Sequence, residues 1–193
     1  ISKFGRYGQG KGEFDGPSGF ALDSNEHFVV CDSKNNRIQR YTKDGEHIDS
    51  FGSYGSEPGQ FNLPWGVDCD ESGDIYISDW GNHRVQIFSP DGELKNVVGE
   101  FGSGNGQFNR PTGITVDKHG DFYVADWGNN RIQRFTSQGG FIGEYGNNSD
   151  VSSDNLRKPS DVSVDSQGYM YVTDWGNHRL QVLSSDGELI QNF

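Results

Sequence analysis

The chain of 193 residues contains no run of 18 apolar residues, so nothing in it reads as a membrane-spanning helix. Two cysteines are too few for a disulfide framework or a thiolate metal site. Basic residues are scarce, 16 against 28 acidic ones, and the net charge of −12 repels a phosphate backbone. Apolar residues at helical spacing are absent, which argues against a helical solenoid. No His-x-His or HExxH spacing occurs among His27, His47, His83, His119 and His178. No Ser–His–Asp set can be read either. The chain therefore reads as non-catalytic, with no metal and no cofactor indicated.

What is present is a repeat. The stretch Asp126-Trp127-Gly128-Asn129-Asn130-Arg131-Ile132-Gln133 recurs at Asp32–Gln39, Asp79–Gln86 and Asp174–Gln181, with the arginines 47, 47 and 48 residues apart. A fixed period of that size signals stacked or radially arranged units. Each unit opens with a proline (Pro17, Pro64, Pro111, Pro159) and holds four short β-branched and aromatic runs, a to d, separated by polar turns. The c–d turn carries Asp44-Gly45, Asp91-Gly92, Gln138-Gly139 or Asp186-Gly187, a hairpin signal. The 28 glycines fall at fixed places in the repeat and mark turns rather than disorder. Cys31 shares its position with Ser78, Ala125 and Thr173, and Cys69 with Leu22, Val116 and Val164, so both read as small core fillers. Four antiparallel strands per unit make a β-propeller blade, and the fold class is all-β. The blades are expected over about 17–51, 64–98, 111–145 and 159–193 of one domain covering 1–193, preceded by a lone strand at Ser2–Gly5.

The pattern Pro-x-Gly-apolar-x-Val-Asp, Tyr-Val-x-Asp, Asn-x-Arg-Ile-Gln-x-Phe and Phe-Gly resembles the NHL repeat over essentially the whole chain. That family forms propellers, commonly six-bladed, and includes the C-terminal domains of TRIM-NHL proteins. The resemblance implies protein or RNA partners, and a cytoplasmic location if the parent is TRIM-like. It also includes peptide-amidating lyases that use metal with histidine, an activity for which this chain offers only His83 and His178 on one expected face. Copy four departs from the pattern, with Asp161 for Gly19, Gly66 and Gly113, and Leu156 for Phe14, Phe61 and Phe108. It is expected to be a marginal blade or a specialised loop. Four blades leave an open arc, a four-bladed ring, or a ring shared between chains. Exposed strand edges and blade faces favour association, so a homo-oligomer is expected.

Strand alternation puts the a–b and c–d turns on one face, the bottom, and the b–c and d–a connections on the other, the top. The bottom turns hold fourteen acids and two bases, Lys43 and Lys118, whereas the top is balanced. The top also holds Trp65, Trp80, Trp127 and Trp175, with His83, Asn130, His178 and Tyr54, a composition suited to a protein or peptide partner. Trp65 departs from its repeat position, occupied elsewhere by Ser18, Thr112 and Ser160. Single-stranded RNA stacking on the indoles is the alternative, and a self-assembling scaffold the third. The pairs Asp32/Arg37, Asp79/Arg84, Asp126/Arg131 and Asp174/Arg179 are expected to be structural. The aspartate should cap turn amides, and the arginine should bridge to it. Gly81, Gly128 and Gly176 are expected at positive φ, and Asn82, Asn129 and Asn177 to bond the local backbone. Gly102-Ser103-Gly104-Asn105-Gly106 looks like a phosphate loop but precedes a strand, so it is set aside. Asn147-Asn148-Ser149 is a glycosylation sequon only if the chain is secreted.

Overall fold

The computed structural model describes residues 4–146 and 154–193, so the sequon lies outside the described residues. A short parallel pair, Arg6–Tyr7 (β1) with Glu13–Phe14 (β2), precedes four four-stranded antiparallel sheets. The first sheet comprises Pro17–Leu22 (β3), Phe28–Asp32 (β4), Arg37–Tyr41 (β5) and His47–Phe51 (β6). The second comprises Pro64–Cys69 (β7), Ile75–Asp79 (β8), Arg84–Phe88 (β9) and Leu94–Val98 (β10). The third comprises Pro111–Val116 (β11), Phe122–Asp126 (β12), Arg131–Phe135 (β13) and Phe141–Tyr145 (β14). The fourth comprises Pro159–Val164 (β15), Met170–Asp174 (β16), Arg179–Leu183 (β17) and Leu189–Asn192 (β18). Strands pair in chain order within each sheet, and β3, β7, β11 and β15 pack in succession along the inner edge of an open arc. Phe4 and Gly5 lie outside any strand, and Ser2 and Lys3 of the expected lone strand lie outside the described residues.

The core lies between blades rather than within them. One cluster joins Val29, Cys31 and Ile38 of the first blade to Phe61, Ile75 and Ile77 of the second. Tyr76, Val85 and Ile87 meet Phe108, Phe122 and Phe135 in the next. Tyr123, Ala125 and Ile132 meet Leu156, Met170 and Val172 in the last. Both cysteines are free and pack into the first cluster, where burial pushes the Cys69 thiol up to about 12. Phe61, Phe108 and Leu156 are wedges carried by the d–a connections, and each is buried. Leu156 thus does the work of the phenylalanines, and the fourth blade is a complete sheet rather than a marginal one. Asp161 stands where the other blades carry glycine. A side chain at Gly19 would strike the Trp65 carbonyl at 2.6 Å, and one at Gly66 the Thr112 carbonyl at 2.5 Å, each on the following blade. Among the described residues no strand follows β15 at the inner edge, so a side chain fits.

The repeat signature builds a buried node. Asp79, with no exposed surface, accepts the Asn62 amide on Oδ1 at 2.8 Å. Its Oδ2 accepts Asn82 Nδ2 at 2.9 Å, Arg84 Nε at 2.9 Å and Gln86 Nε2 at 3.1 Å. Arg84 Nη2 donates on to the Glu57 and Gln60 carbonyls. Asp126 repeats this with Asn109, Asn129, Arg131 and Gln133. Asp32 pairs with Arg37, and Asp174 with Arg179, in the same way. The ion pairs are as expected, but the aspartates do not cap the b–c turn. They take an amide from the d–a connection instead. Asn82 and Asn129 are likewise not local: they donate to the Gly55 and Gly102 carbonyls, 27 residues away. Burial pushes the Asp79 and Asp126 carboxyls above the ordinary range, against the pull of their donors.

The b–c turn is a single 3₁₀ turn, Trp80–Asn82 in the second blade, which the apolar periodicity does not reveal because three residues carry no period. Its left-handed residue is not the glycine. Asn36, His83, Asn130 and His178 have φ of 54 to 59°, and Gly81, Gly128 and Gly176 do not. Gly81 is required by crowding, since a side chain there would overlap Asn62.

The wedges differ in what surrounds them, because Phe108 sits between two blades and Phe14 has a blade on one side only. Phe108→Ala is therefore expected to cost about 3–5 kcal/mol in urea unfolding. Phe14→Ala should cost clearly less, and equal losses would contradict a core lying between blades.

Candidate indole-lined recognition site

All four tryptophans of the chain line one cavity of about 320 Å³, together with Thr112 and Ser160. Three indoles come from the 3₁₀ turns after β8, β12 and β16, where the signature places them. In the first blade Ser33 takes that place and donates to the Pro64 carbonyl at 2.6 Å. Trp65, the next residue, supplies the fourth indole from β7. The departure from the repeat at 65 thus accompanies the departure at 33.

Cations carried by the d–a connections lie over three of these rings. Arg110 lies 4.7 Å from the Trp80 centroid, and Lys158 4.7 Å from Trp127 and 5.9 Å from Trp175. Trp175 is 59% exposed, while Trp80 and Trp127 are half-buried. The repeat signature does not single out Arg110 or Lys158. Their signal was positional, since each immediately precedes a blade-opening proline.

Both of these residues adopt left-handed backbone, φ 59° and 50°, as does Leu63 at 56°. Their amides reach back to the preceding blade. Leu63 donates to Asn36 Oδ1 at 2.9 Å, Arg110 to His83 Nδ1 at 3.0 Å, and Lys158 to Asn130 Oδ1 at 2.9 Å. His83 and Asn130 are therefore links between blades and do not line the cavity. His83 also meets the Phe101 ring edge-on at 4.8 Å. His178 is exposed at the end of the arc, and Tyr54 is 72% exposed on a d–a connection; neither lines the cavity.

The other face differs in character. Asp23, Asp70, Asp117 and Asp165 each accept amides of their own a–b turn, so part of the bottom acidity closes turns. A larger hollow of about 480 Å³ there is lined by Asp70, Asp74, Tyr76 and Lys95, among others. Its acids are engaged, Asp70 by its turn and Asp74 by Lys95, and its aromatic residue, Tyr76, is itself buried. Among the described residues no group of three His, Cys, Asp or Glu is placed to hold a metal ion.

Radial four-stranded blades with inward a strands define a β-propeller-type repeat protein. The NHL repeat model matches residues 14–41, 61–88, 108–135 and 156–183, and the chain belongs to that family. Similar solved structures include a streptogramin B lyase (19% identity, TM-score 0.71), covering 92% of this chain and 54% of that one. Virginiamycin B lyase from Staphylococcus aureus, in an inactive form with quinupristin, matches at 18% identity and TM-score 0.70, covering 92% and 55%. A nidogen/laminin complex matches at 22% identity and TM-score 0.70, covering 89% and 61%. The chain thus spans a little over half the length of these structures, and at such identities the likeness is one of fold. No curated protein matches the sequence.

His83 offers a test of the link between blades. Burial, then the nearby Arg110 charge, holds its pKa below the usual 6.5. The unfolded chain therefore binds the proton first, and stability falls as pH drops through 6.5 toward the lower folded value. Protonation of Nδ1 also removes the acceptor for the Arg110 amide. His83→Asn, which copies Asn36 and Asn130, should flatten that part of the acid loss in urea midpoints measured between neutral and mildly acidic pH. An unchanged slope would contradict the assignment.

Proposed function

We propose that the chain is a non-catalytic recognition module that binds an extended segment of a protein partner in the indole-lined cavity of the top face. The observation that carries this reading is the convergence of all four tryptophans on one cavity. Aromatic anchors in a desolvated pocket, ringed by polar groups, are what dominates protein recognition. Rings fixed by 3₁₀ turns and stacked cations lose little freedom on binding. The complexed nidogen/laminin neighbour lends support, because there a similar fold sits in a protein–protein assembly. The lyase neighbours keep an enzymatic reading in view, but the two histidines of the top face are apart and His83 is committed to the Arg110 amide. Single-stranded RNA is the lesser reading, since Arg110 and Lys158 already stack on indoles and the chain as a whole is acidic.

Short peptides selected from a random display library against the 193-residue protein test this directly. Trp127→Ala should weaken the selected peptides about thirtyfold, roughly 2 kcal/mol. Asp44→Ala on the bottom should leave them unchanged, and affinity should vary little with salt. Peptides indifferent to all four indoles would overturn the site. Binding of a single-stranded oligonucleotide with steep salt dependence would favour RNA.

A further inference from the structure

The residue before each blade-opening proline is held in left-handed backbone: Gly16, Leu63, Arg110 and Lys158 have φ of 61, 56, 59 and 50°. Proline pushes the residue before it toward extended backbone, and left-handed backbone is uncommon outside glycine. Glycine is the low-strain choice, and Gly16 takes it. The other three keep a side chain despite the strain, and which one they keep follows the preceding blade. Leu63 follows the blade that carries Ser33 in place of an indole. Arg110 follows the blade of Trp80 and lies over its ring. Lys158 follows the blade of Trp127 and lies over that ring. Strained residues of this kind collect at ligand clamps.

The two cations have no anionic partner. Lys34 and Lys95 pair with Asp15 and Asp74. Among the described residues Arg110 and Lys158 make no ion pair, and their side chains donate no hydrogen bond, in a chain with 28 acids. A guanidinium or ammonium over a ring face keeps N–H donors for an anion. No carboxylate lines the cavity between the indoles. The site is therefore an aromatic floor with two unpaired cations at its edge, on a protein that is acidic as a whole.

We propose that Arg110 and Lys158 set the specificity of this cavity for an acidic peptide segment. An apolar side chain of the partner enters between the indoles, and an aspartate or glutamate beside it pairs with the cations. This rests on the reading of the cavity as a peptide site. Charge complementarity of this kind selects among partners more than it adds affinity. The pairs lie at the surface and each contributes little, so the salt response stays shallow beside that of a phosphate backbone.

Peptides selected on the 193-residue protein test this. Those that Trp127→Ala weakens should carry aspartate or glutamate next to their apolar anchor. Changing that acid to its amide should weaken binding about fivefold. Arg110→Leu copies Leu63 and so suits the left-handed backbone. It should weaken the acidic peptide to a similar degree and leave the amide peptide unchanged, and Arg110→Lys should restore most of the loss. If Arg110 served only to hold the Trp80 ring, Arg110→Leu would weaken both peptides alike. That result would overturn the proposal and leave the cavity a peptide site, as would Trp127-dependent peptides with neutral or basic residues beside the anchor. Displacement of the acidic peptide by a single-stranded oligonucleotide, with steep salt dependence, would assign the cations to phosphate and overturn it. Peptides indifferent to every indole would remove the site and this inference with it. Should Arg110→Leu disturb the blade junction, the unaltered protein decides, because equal affinity for the acid and amide peptides would overturn the pairing.

Discussion

In each blade a carboxylate with no exposed surface takes hydrogen bonds from an amide, an asparagine and an arginine, and in the first three blades also from a glutamine. A charge so placed is tolerated only if it is fully partnered, since its desolvation costs several kcal/mol. The partners come from two separated segments, the b–c turn with strand c and the d–a connection before them. Satisfying the carboxylate therefore clamps these segments together. The clamp sets the wedge residue between blades and the 3₁₀ turn that carries the indole. Core and upper surface both follow from one electrostatic requirement.

Much of this was legible because repetition turns one sequence into four samples of the same environment. The blade boundaries, the aspartate–arginine pairs and the convergence of the indoles on one face follow from period and strand alternation. What was missed lies where two distant segments meet. The Asp79 carboxylate looked like a turn cap because its strongest sequence neighbours are in the turn, but its amide partner is Asn62, 17 residues back. Gly81 looked like a left-handed residue because glycine usually marks one. The left-handed residue is His83, and the glycine answers to crowding by Asn62. Phe4 read as part of a strand, whereas its meaning is a contact with Tyr41 and Gly45.

The departures from the repeat are as informative as the repeat. Ser33 and Trp65 exchange roles, so the first blade contributes no indole and the second contributes two. Asp161 lies on β15, beyond which no strand packs at the inner edge among the described residues. Acid collects on the bottom, where Asp23, Asp70, Asp117 and Asp165 serve their own turns, and leaves the top near neutral with its aromatic rings. A repeat that must satisfy its node four times varies away from it, at positions such as Trp65 and Asp161.

Residue-resolved amide hydrogen exchange tests the clamp most directly, at the Asn62 and Asn109 amides. Both lie in connections outside the strands of the blades, yet each donates to a buried carboxylate at 2.8 Å. The account predicts protection comparable to the Val124 and Gln133 amides in β12 and β13, through opening shared with the blade. Exchange as fast as at Ser103, in an exposed part of the same connection, would contradict it.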